Sequence, residues 1–305
     1  MQYKVFTHLM PWDIDYALLW LTQLKKSSYY LNEEDDIVVD IKLNLTSYLI
    51  NWDDSKLPKE FFINKFNQLK NIIKDSYTTN FSVYNGDKLY GHLDQQKEII
   101  DKETDFYIAI CPDMYFSEQL LALMIESSKQ IKNKYFIINP EISKMWDATW
   151  DEITNSDHLN IPYDKWNEAN IYDIRANLKS TEKNVTLDPT QRSKWAGWCD
   201  LYNKAMYEEL CPLHDDWKGY GPYDWYSIML TDFVKQKGVD FQQYVLRGQT
   251  SFEYSIGPLK DGGFSKYYKD LLTLKNIPNQ RTVFESKMKE YLNKGIKILE
   301  EKGIL

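Results

Sequence analysis

The sequence lacks the short motifs that mark several large enzyme classes. It contains no GxxxxGK[ST] phosphate loop and no GxGxxG after the first predicted strand. It also contains neither the HExxH pattern of zinc proteases nor the GxSxG pattern of serine hydrolases. These absences argue against a P-loop nucleotidase, a dinucleotide-dependent oxidoreductase and both classes of hydrolase.

Cysteine and long apolar runs are also scarce. Cys111, Cys199 and Cys211 are the three cysteines, and no two of them are closely spaced. This gives no disulfide framework and no zinc motif, which fits a reducing, cytoplasmic compartment. No run approaches 18 apolar residues, and residues 1–13 lack the pattern of a secretory signal. We therefore expect a soluble protein that does not contact a membrane.

Positive charge is outnumbered, because 37 Lys and Arg face 45 Asp and Glu, for a net charge of −8. A broad nucleic-acid-binding face needs clustered Lys and Arg, so this balance disfavours one. Only residues 264–305 are locally basic. Hydrophobic residues make up 43% and aromatic residues 15% of the chain, which is a globular composition. The aromatic side chains suit either a core or a cleft that stacks on sugar or base rings.

The pattern of elements predicts an α/β fold. Residues 4–10 and 35–45 read as strands, and a helix that begins near Ile14 after a capping Asp13 separates them. Strand, helix and strand within about 40 residues form a βαβ unit with parallel pairing. The following segments read alternately as helix and strand: 58–77, 81–84, 91–102, 106–111, 117–130 and 134–139. Ser117 is the predicted cap of the fifth of these.

The second half of the chain has a weaker pattern. Residues 141–193 predict either an irregular insert or an acceptor-side region of the same domain. The segments after it predict, in order, a helix at 195–210, a helix at 224–238, a strand at 239–246, and helices at 265–274 and 283–302.

The first candidate site is Cys111-Pro112-Asp113, at the carboxyl end of the predicted central strand. In open α/β sheets ligands bind outside the carboxyl ends of the strands. Pro112 turns the chain out of the sheet and presents Asp113 at its edge. That carboxylate either binds a divalent cation that holds a diphosphate or caps the following helix, and both interpretations stay open.

The second candidate is the loop WKGYGPYDW, residues 217–225. Gly219 and Gly221 allow a close backbone approach to a ligand. Asp224 stands at the start of a predicted helix, where a carboxylate serves as a cap or as a base that faces a cleft. The aromatic side chains of the loop provide a stacking wall on the acceptor side: Trp217, Tyr220, Tyr223 and Trp225.

Two histidines are weaker candidates. His214 precedes two carboxylates and is a candidate metal ligand, although a solvated turn has the same composition. His8, with Pro11 after it, lies at the end of the first strand, where a nucleotide base can rest or a histidine can simply pack.

This arrangement resembles the glycosyltransferases of the GT-A type. The opening unit KVFTHLMPWD to IVVDI corresponds to their nucleotide-binding strands, and CPDM stands where they carry Asp-x-Asp. The loop WKGYGPYDW is similar to the Trp-Gly-x-Gly-x-x-Asp loop of galactosyltransferase-like members, with Lys218 as an extra residue. Cys111 replaces the first Asp of Asp-x-Asp, which is a departure from the family pattern.

The resemblance implies a GT-A-like, Rossmann-related, mostly parallel sheet flanked by helices, and a role for each candidate residue. Asp224 is the implied catalytic base, and Asp113 and His214 are the implied ligands of Mn²⁺ or Mg²⁺. The implied contacts of the nucleotide-sugar donor are His8, Pro11, Asp113, Lys218, Gly219, Gly221 and Arg247.

The implied activity is transfer of a sugar, in the manner of a hexosyltransferase, from a UDP-sugar to an acceptor hydroxyl. Residues 1–260 form the expected catalytic domain, with a nucleotide-binding half at 1–140 and an acceptor-side half at 141–260. Residues 261–305 form the expected C-terminal helical extension. Two alternatives stay open: a viral enzyme that glycosylates hydroxymethylated pyrimidines in DNA, and a catalytically degenerate protein that binds a sugar nucleotide or a partner.

Overall fold

A computed structural model describes residues 1–45, 58–86, 90, 92–112, 114–143, 185–191, 199–211, 223–253 and 280–305. The strands are β1 Gln2–Leu9, β2 Asp36–Asn44, β3 Thr78–Tyr84, β4 Phe106–Ile110, β5 Met114–Tyr115, β6 Tyr135–Ser143, β7 Thr186–Pro189, β8 Cys199–Asn203 and β9 Phe241–Glu253. The α-helices are α1 Ile14–Ser27, α2 Lys59–Ile73, α3 His92–Ile99, α4 Leu120–Ser128, α5 Tyr223–Gln236 and α6 Gln280–Glu301.

The described strands form one mixed sheet in the order β3-β2-β1-β4-β8-β6-β9-β5, and β7 pairs with β9. The three longest ladders are parallel: β6 with β9, β1 with β2, and β2 with β3. β8 is antiparallel to both of its neighbours, β4 and β6. The α/β class and the mostly parallel sheet with flanking helices are thus confirmed. Since β8 is antiparallel to both of its neighbours, β6 and β9 run in the same direction as β1 to β4. The carboxyl ends of these six strands therefore lie at one edge of the sheet, which we name the carboxyl edge.

The opening βαβ unit forms as its hydrophobic pattern predicts. Val5 and Val39 are fully buried in β1 and β2, and Trp20 and Leu21 cover them from α1. Leu18 of the same helix is 46% exposed, since it lies on the outer side of α1. Burial of the apolar face, more than helix propensity, stabilises such a helix.

Two predicted caps serve other purposes. The Asp13 Oδ2 atom accepts the Met10 N–H at 2.8 Å, so the carboxylate closes the 3₁₀ turn before α1 and makes no bond to the first turn of the helix. The Ser117 hydroxyl lies 2.7 Å from Gln249 Oε1 on β9, and α4 begins three residues later than Ser117. Asp13 thus makes a local bond on the other side of the predicted cap position, and Ser117 makes a tertiary contact that local sequence does not reveal.

The predicted helix at 195–210 is wrong over residues 199–203, whereas residues 204–210 are helical as predicted. Residues Cys199–Asn203 form strand β8, and Met206–Leu210 form a π-helical turn. Leu201 packs into the core on one face of the sheet and Tyr202 into the core on the other. A strand buried on both faces loses its polar alternation, so its sequence cannot be told from a buried helix. β7 likewise forms within the region that we expected to be irregular.

The two faces of the sheet carry separate cores. The first core lies under α1, α2 and α4, and the second contains residues of the π-helical turn, α5 and α6. In α6, Tyr291 and Leu299 belong to the second core together with Tyr226 of α5. The C-terminal helix therefore packs on the same sheet as the rest of the chain. Among the described residues, no helix is both long and apolar enough to cross a membrane.

Candidate functional site

The carboxyl edge brings three predicted site segments to one side of the sheet. β1 ends there at Leu9, just after His8, and β4 ends there before Cys111 and Pro112. α5 precedes β9, which starts at the opposite edge, so the last turn of α5 lies at that opposite edge. A helix of 14 residues is about 21 Å long, which places its first turn, with Asp224, toward the carboxyl edge.

Several predicted site residues lie outside the described part of the chain. These are Asp113, His214, Trp217, Lys218, Gly219, Tyr220 and Gly221. Tyr223, Asp224 and Trp225 form the first turn of α5, as predicted, and only their backbone is described. Their side-chain roles stay predictions. Pro11 is described and buried, in the 3₁₀ turn that follows β1.

An aromatic cluster surrounds His8 at the ends of the first three strands. The His8 ring is buried and lies 5.9 Å from the Tyr90 ring. Tyr90 stacks on Tyr84, the last residue of β3, with ring centroids 4.2 Å apart and an angle of 22°. Asn44, the last residue of β2, donates from Nδ2 to the Tyr90 carbonyl at 2.6 Å. The sequence analysis did not identify Tyr84, Tyr90 or Asn44 as site residues. Tyr84 and Asn44 lie at or next to the ends of predicted strands, and that position was the signal that could have found them.

Tyr90 is fixed by charged neighbours. Its hydroxyl donates to Glu98 Oε2 at 2.8 Å, and the Lys42 ammonium lies 5.1 Å from its ring centroid while it bonds to the same carboxylate. Burial raises the pKa of Tyr90 above its usual value, and the bond to Glu98 raises it further. Tyr90 therefore stays a neutral hydrogen-bond donor, and its ring keeps one orientation.

A buried polar network lies below the aromatic cluster. The Gln95 side chain donates from Nε2 to the Thr7 carbonyl at 2.9 Å and to Asp40 Oδ1 at 3.2 Å. Asn80 donates from Nδ2 to Asp40 Oδ2 at 2.5 Å. Asp40 is buried, so these bonds offset part of the cost of removing its carboxylate from water. The network joins α3 to β1, β2 and β3.

A second buried carboxylate, Asp200, lies beside the end of β4. It is opposite Ala109 in the β4–β8 ladder and fully buried. Asn139 Nδ2 donates to Asp200 Oδ1, and Gln243 Nε2 donates to Asn139 Oδ1 at 2.5 Å. Side-chain amides thus link β9, β6 and β8 across the middle of the sheet. Sequence reasoning missed Asp200 because its segment was read as a helix.

Arg247 is paired with two carboxylates. Its Nη1 atom lies 3.2 Å from Glu141 Oε1, and its Nε atom lies 3.7 Å from Asp188 Oδ2. Arg247 belongs to β9, and β8 and β6 stand between β9 and β4. The contact of Arg247 with the donor stays a prediction. The sequence analysis did not identify Glu141 and Asp188 as the carboxylates that pair with it.

The described residues do not by themselves fit a hard divalent cation. Within the described ranges, no group of three or more His, Cys, Asp or Glu residues could hold a metal ion. Cys111 is described, and it stands where GT-A enzymes carry the first Asp of Asp-x-Asp. A thiol suits softer metals than Mg²⁺ or Mn²⁺. Binding of either ion by Asp113 and His214 therefore stays a prediction.

The other two cysteines are inert. Burial raises the pKa of the Cys199 and Cys211 thiols, and the nearby Asp200 carboxylate raises that of Cys199 further. A thiol of raised pKa stays protonated at neutral pH and is a poor nucleophile. Cys199 and Cys211 are therefore buried packing residues.

No protein-family model matches the chain, and no curated protein matches it. Among solved structures, S. aureus TarS 1–349 matches with a TM-score of 0.46 and 11% identity, over 90% of this chain and 65% of that one. Full TarS matches with a TM-score of 0.44 and 12% identity, over 96% of this chain and 43% of that one. A mycobacterial protein matches with a TM-score of 0.43 and 12% identity, over 92% and 76%. This chain thus spans less than two thirds of the length of the first two structures, and the similarity concerns overall arrangement alone.

Proposed function

We propose that the chain is a glycosyltransferase that moves a sugar from a nucleotide-sugar donor, a UDP-hexose, to an acceptor hydroxyl. One observation carries the proposal: β1 and β4 are parallel neighbours whose ends lie side by side at the carboxyl edge, and the length of α5 directs its first turn toward the same edge. A nucleotide site, a diphosphate site and a base are the three parts that sugar transfer needs. Ligands of open α/β sheets bind at this edge.

The aromatic cluster at the ends of β1 to β3 supports the nucleotide part. Tyr84 supplies a half-buried ring that stacks on the buried Tyr90 ring, and His8, Asn44 and Lys42 lie around Tyr90. Every nucleobase has a flat π-face that stacks on aromatic side chains. The rigid polar network below the cluster keeps these rings in place before the ligand arrives, which lowers the entropy lost on binding.

In the proposed reaction Asp224 takes the proton of the acceptor hydroxyl. The hydroxyl oxygen forms a bond to the anomeric carbon of the sugar, and the bond from that carbon to the diphosphate oxygen breaks. The electron pair leaves with the nucleoside diphosphate, whose growing negative charge needs a cationic partner. Lys218 is the proposed side-chain partner. Asp113 and His214 are the proposed ligands of a Mn²⁺ or Mg²⁺ ion, which would offset the same charge.

The proposal is tested by thermal unfolding of the wild type with a panel of nucleotides and nucleotide sugars, with Mn²⁺ and with EDTA. UDP-GlcNAc belongs in the panel because a TarS structure was determined with it. A ligand at about 100 times its dissociation constant stabilises a fold by about 2.7 kcal/mol. We expect one donor to raise the melting temperature, and Asp113→Ala to reduce that rise. A donor that binds but is neither hydrolysed nor transferred would favour a degenerate binding protein, and no shift with any nucleotide would contradict the proposal.

A further inference from the structure

Strand β9 is interrupted by a wide bulge at the carboxyl edge. Leu246 pairs with Pro140 of β6, but the next residue of β6, Glu141, pairs with Thr250. Residues 247–249 therefore have no partner on β6. Gly248 in the bulge has φ of 80°, a left-handed conformation that favours glycine. Bulges of this kind redirect side chains near functional sites.

The bulge builds a cluster of one cation and two carboxylates. Glu141 accepts from Arg247 Nη1 at 3.2 Å and from the Gly248 N–H at 3.1 Å. Asp188, on β7, lies 3.7 Å from Arg247 Nε. The guanidinium is thus held by carboxylates from both neighbouring strands. The hydrogen bond between Ser117 and Gln249 joins the bulge to the segment that follows β5. This bond links the cluster to residues 1–140, the expected nucleotide-binding half.

The charge of this cluster disfavours an anionic ligand. One guanidinium and two carboxylates sum to −1 among the described residues of the cluster. At 4 Å an unscreened pair of unit charges interacts by about 4 kcal/mol at an effective dielectric constant of 20. A diphosphate or a nucleic-acid backbone next to Arg247 would face both carboxylates at similar distances. The attraction between the anion and Arg247 would be cancelled by its repulsion from Glu141 and Asp188.

The position of the cluster also separates it from the donor diphosphate. Neighbouring strands lie about 4.8 Å apart, so the three steps from β4 to β9 correspond to roughly 14 Å. The cluster remains at the same edge of the sheet and is open to solvent: the Arg247 and Asp188 side chains are 33% and 53% exposed. Glu141 is 14% exposed and serves as the buried anchor.

We infer that Glu141, Arg247 and Asp188 form an acceptor subsite that binds the hydroxyl groups of a neutral carbohydrate. The inference rests on the proposed function and names the acceptor class. A carboxylate accepts a hydrogen bond from a sugar hydroxyl, and a guanidinium donates one to a sugar oxygen. A neutral polyhydroxyl ring satisfies both kinds of group, whereas a phosphate satisfies only the cation. Hydroxymethylated DNA is therefore the disfavoured acceptor.

The first test measures UDP affinity by calorimetry for the wild type, Arg247→Lys and Asp188→Asn. The acceptor role predicts affinities within about twofold of the wild type. A diphosphate role predicts the opposite pattern: Arg247→Lys weakens UDP binding about tenfold, and Asp188→Asn strengthens it because one repelling carboxylate is gone. That pattern would overturn the inference. If the wild type binds no nucleotide, the proposed function itself fails, and the two failures are thus distinguished.

The second test uses the donor found in the melting panel, in labelled form, on an array of neutral oligosaccharides and on hydroxymethylated DNA. We expect the wild type to label a carbohydrate, and both variants to lose at least tenfold of the label while UDP binding is retained. Glu301→Gln, an exposed change on α6, is the matched control and should label like the wild type. Labelling of DNA alone, no labelling of any neutral carbohydrate, or equal labelling by all variants would overturn the inference.

Discussion

Asn139 donates a hydrogen bond from Nδ2 to the carboxylate of Asp200, and this bond joins β6 to β8 in the interior of the sheet. Gln243 fixes the orientation of the Asn139 amide, because its own Nε2 donates to Asn139 Oδ1. The three side chains are fully buried. A carboxylate at the centre of the sheet is thus oriented by two neutral amides from the two strands beyond it.

Asn139→Leu should destabilise the fold. The change removes a donor to a buried carboxylate, and loss of a hydrogen bond to a charged group costs about 1.5–3 kcal/mol. Urea unfolding at pH 7 would measure the change in the free energy of unfolding. Asn67→Leu, at an exposed asparagine of α2, is the control. An Asn139→Leu variant as stable as this control would contradict the role given to the bond.

Gly295→Ala should also destabilise the protein, although alanine is the better helix former. A Cβ at this position would lie 2.2 Å from the Tyr226 hydroxyl oxygen and 3.0 Å from the ring carbon that carries it. Helix propensity alone predicts a gain of about 1 kcal/mol, whereas overpacking costs about 1–3 kcal/mol. Thermal unfolding decides the sign. Tyr226→Phe combined with Gly295→Ala should recover part of the loss, because the nearest atom is then absent.

The ion pair of Asp101 and Lys4 should make stability depend on pH. Partial burial raises the pKa of Asp101, but bonds from Lys4 and Thr104 outweigh it and lower the pKa to about 2. A group with a depressed folded-state pKa contributes stability that is present above its unfolded pKa of about 3.9 and lost as pH falls toward 2. Asp101→Asn should therefore be less stable than the wild type at pH 7, and the difference should shrink between pH 4 and pH 2. A difference that is constant across this range would contradict the assignment.

Tyr84 should contribute to nucleotide binding through its ring. Alanine substitutions of stacking aromatic residues cost about 1–3 kcal/mol per base, so Tyr84→Ala should weaken UDP binding about tenfold or more. Tyr84→Phe keeps the ring and should bind within about twofold of the wild type. Calorimetric titration with UDP measures both. Equal affinity in Tyr84→Ala and Tyr84→Phe would remove the ring from the proposed nucleotide site.

Local sequence was sufficient where an element is stabilised by its own pattern. The βαβ opening follows from the apolar runs around Val5 and Val39, and the start of α5 next to Asp224 follows from the change of pattern after the glycine loop. These features depend on periodicity and on turn residues, which are visible in a short window.

The remainder depends on contacts between distant parts of the chain. β8 became a strand because β4 and β6 pair with it on both sides, which no local pattern records. Glu141 and Arg247 are 106 residues apart in the chain, and a register shift in β9 brings them together. Tyr90, which lies between β3 and α3, meets His8 of β1 in the same way, although the two are far apart in the chain. The carboxylates around Arg247 therefore could not be predicted, and they change the ligand that this arginine suits.

Release of UDP from the UDP-sugar identified in the melting panel tests the central claim most directly. The rates would be compared for the wild type, Asp224→Asn and Asp232→Asn, the last being a carboxylate eight residues further along α5. Loss of a general base lowers the rate by about 10²–10⁴. We predict a fall of at least 100-fold in Asp224→Asn with unchanged UDP affinity, and a rate near that of the wild type in Asp232→Asn. Equal rates in all three proteins, or no release by the wild type, would contradict the account.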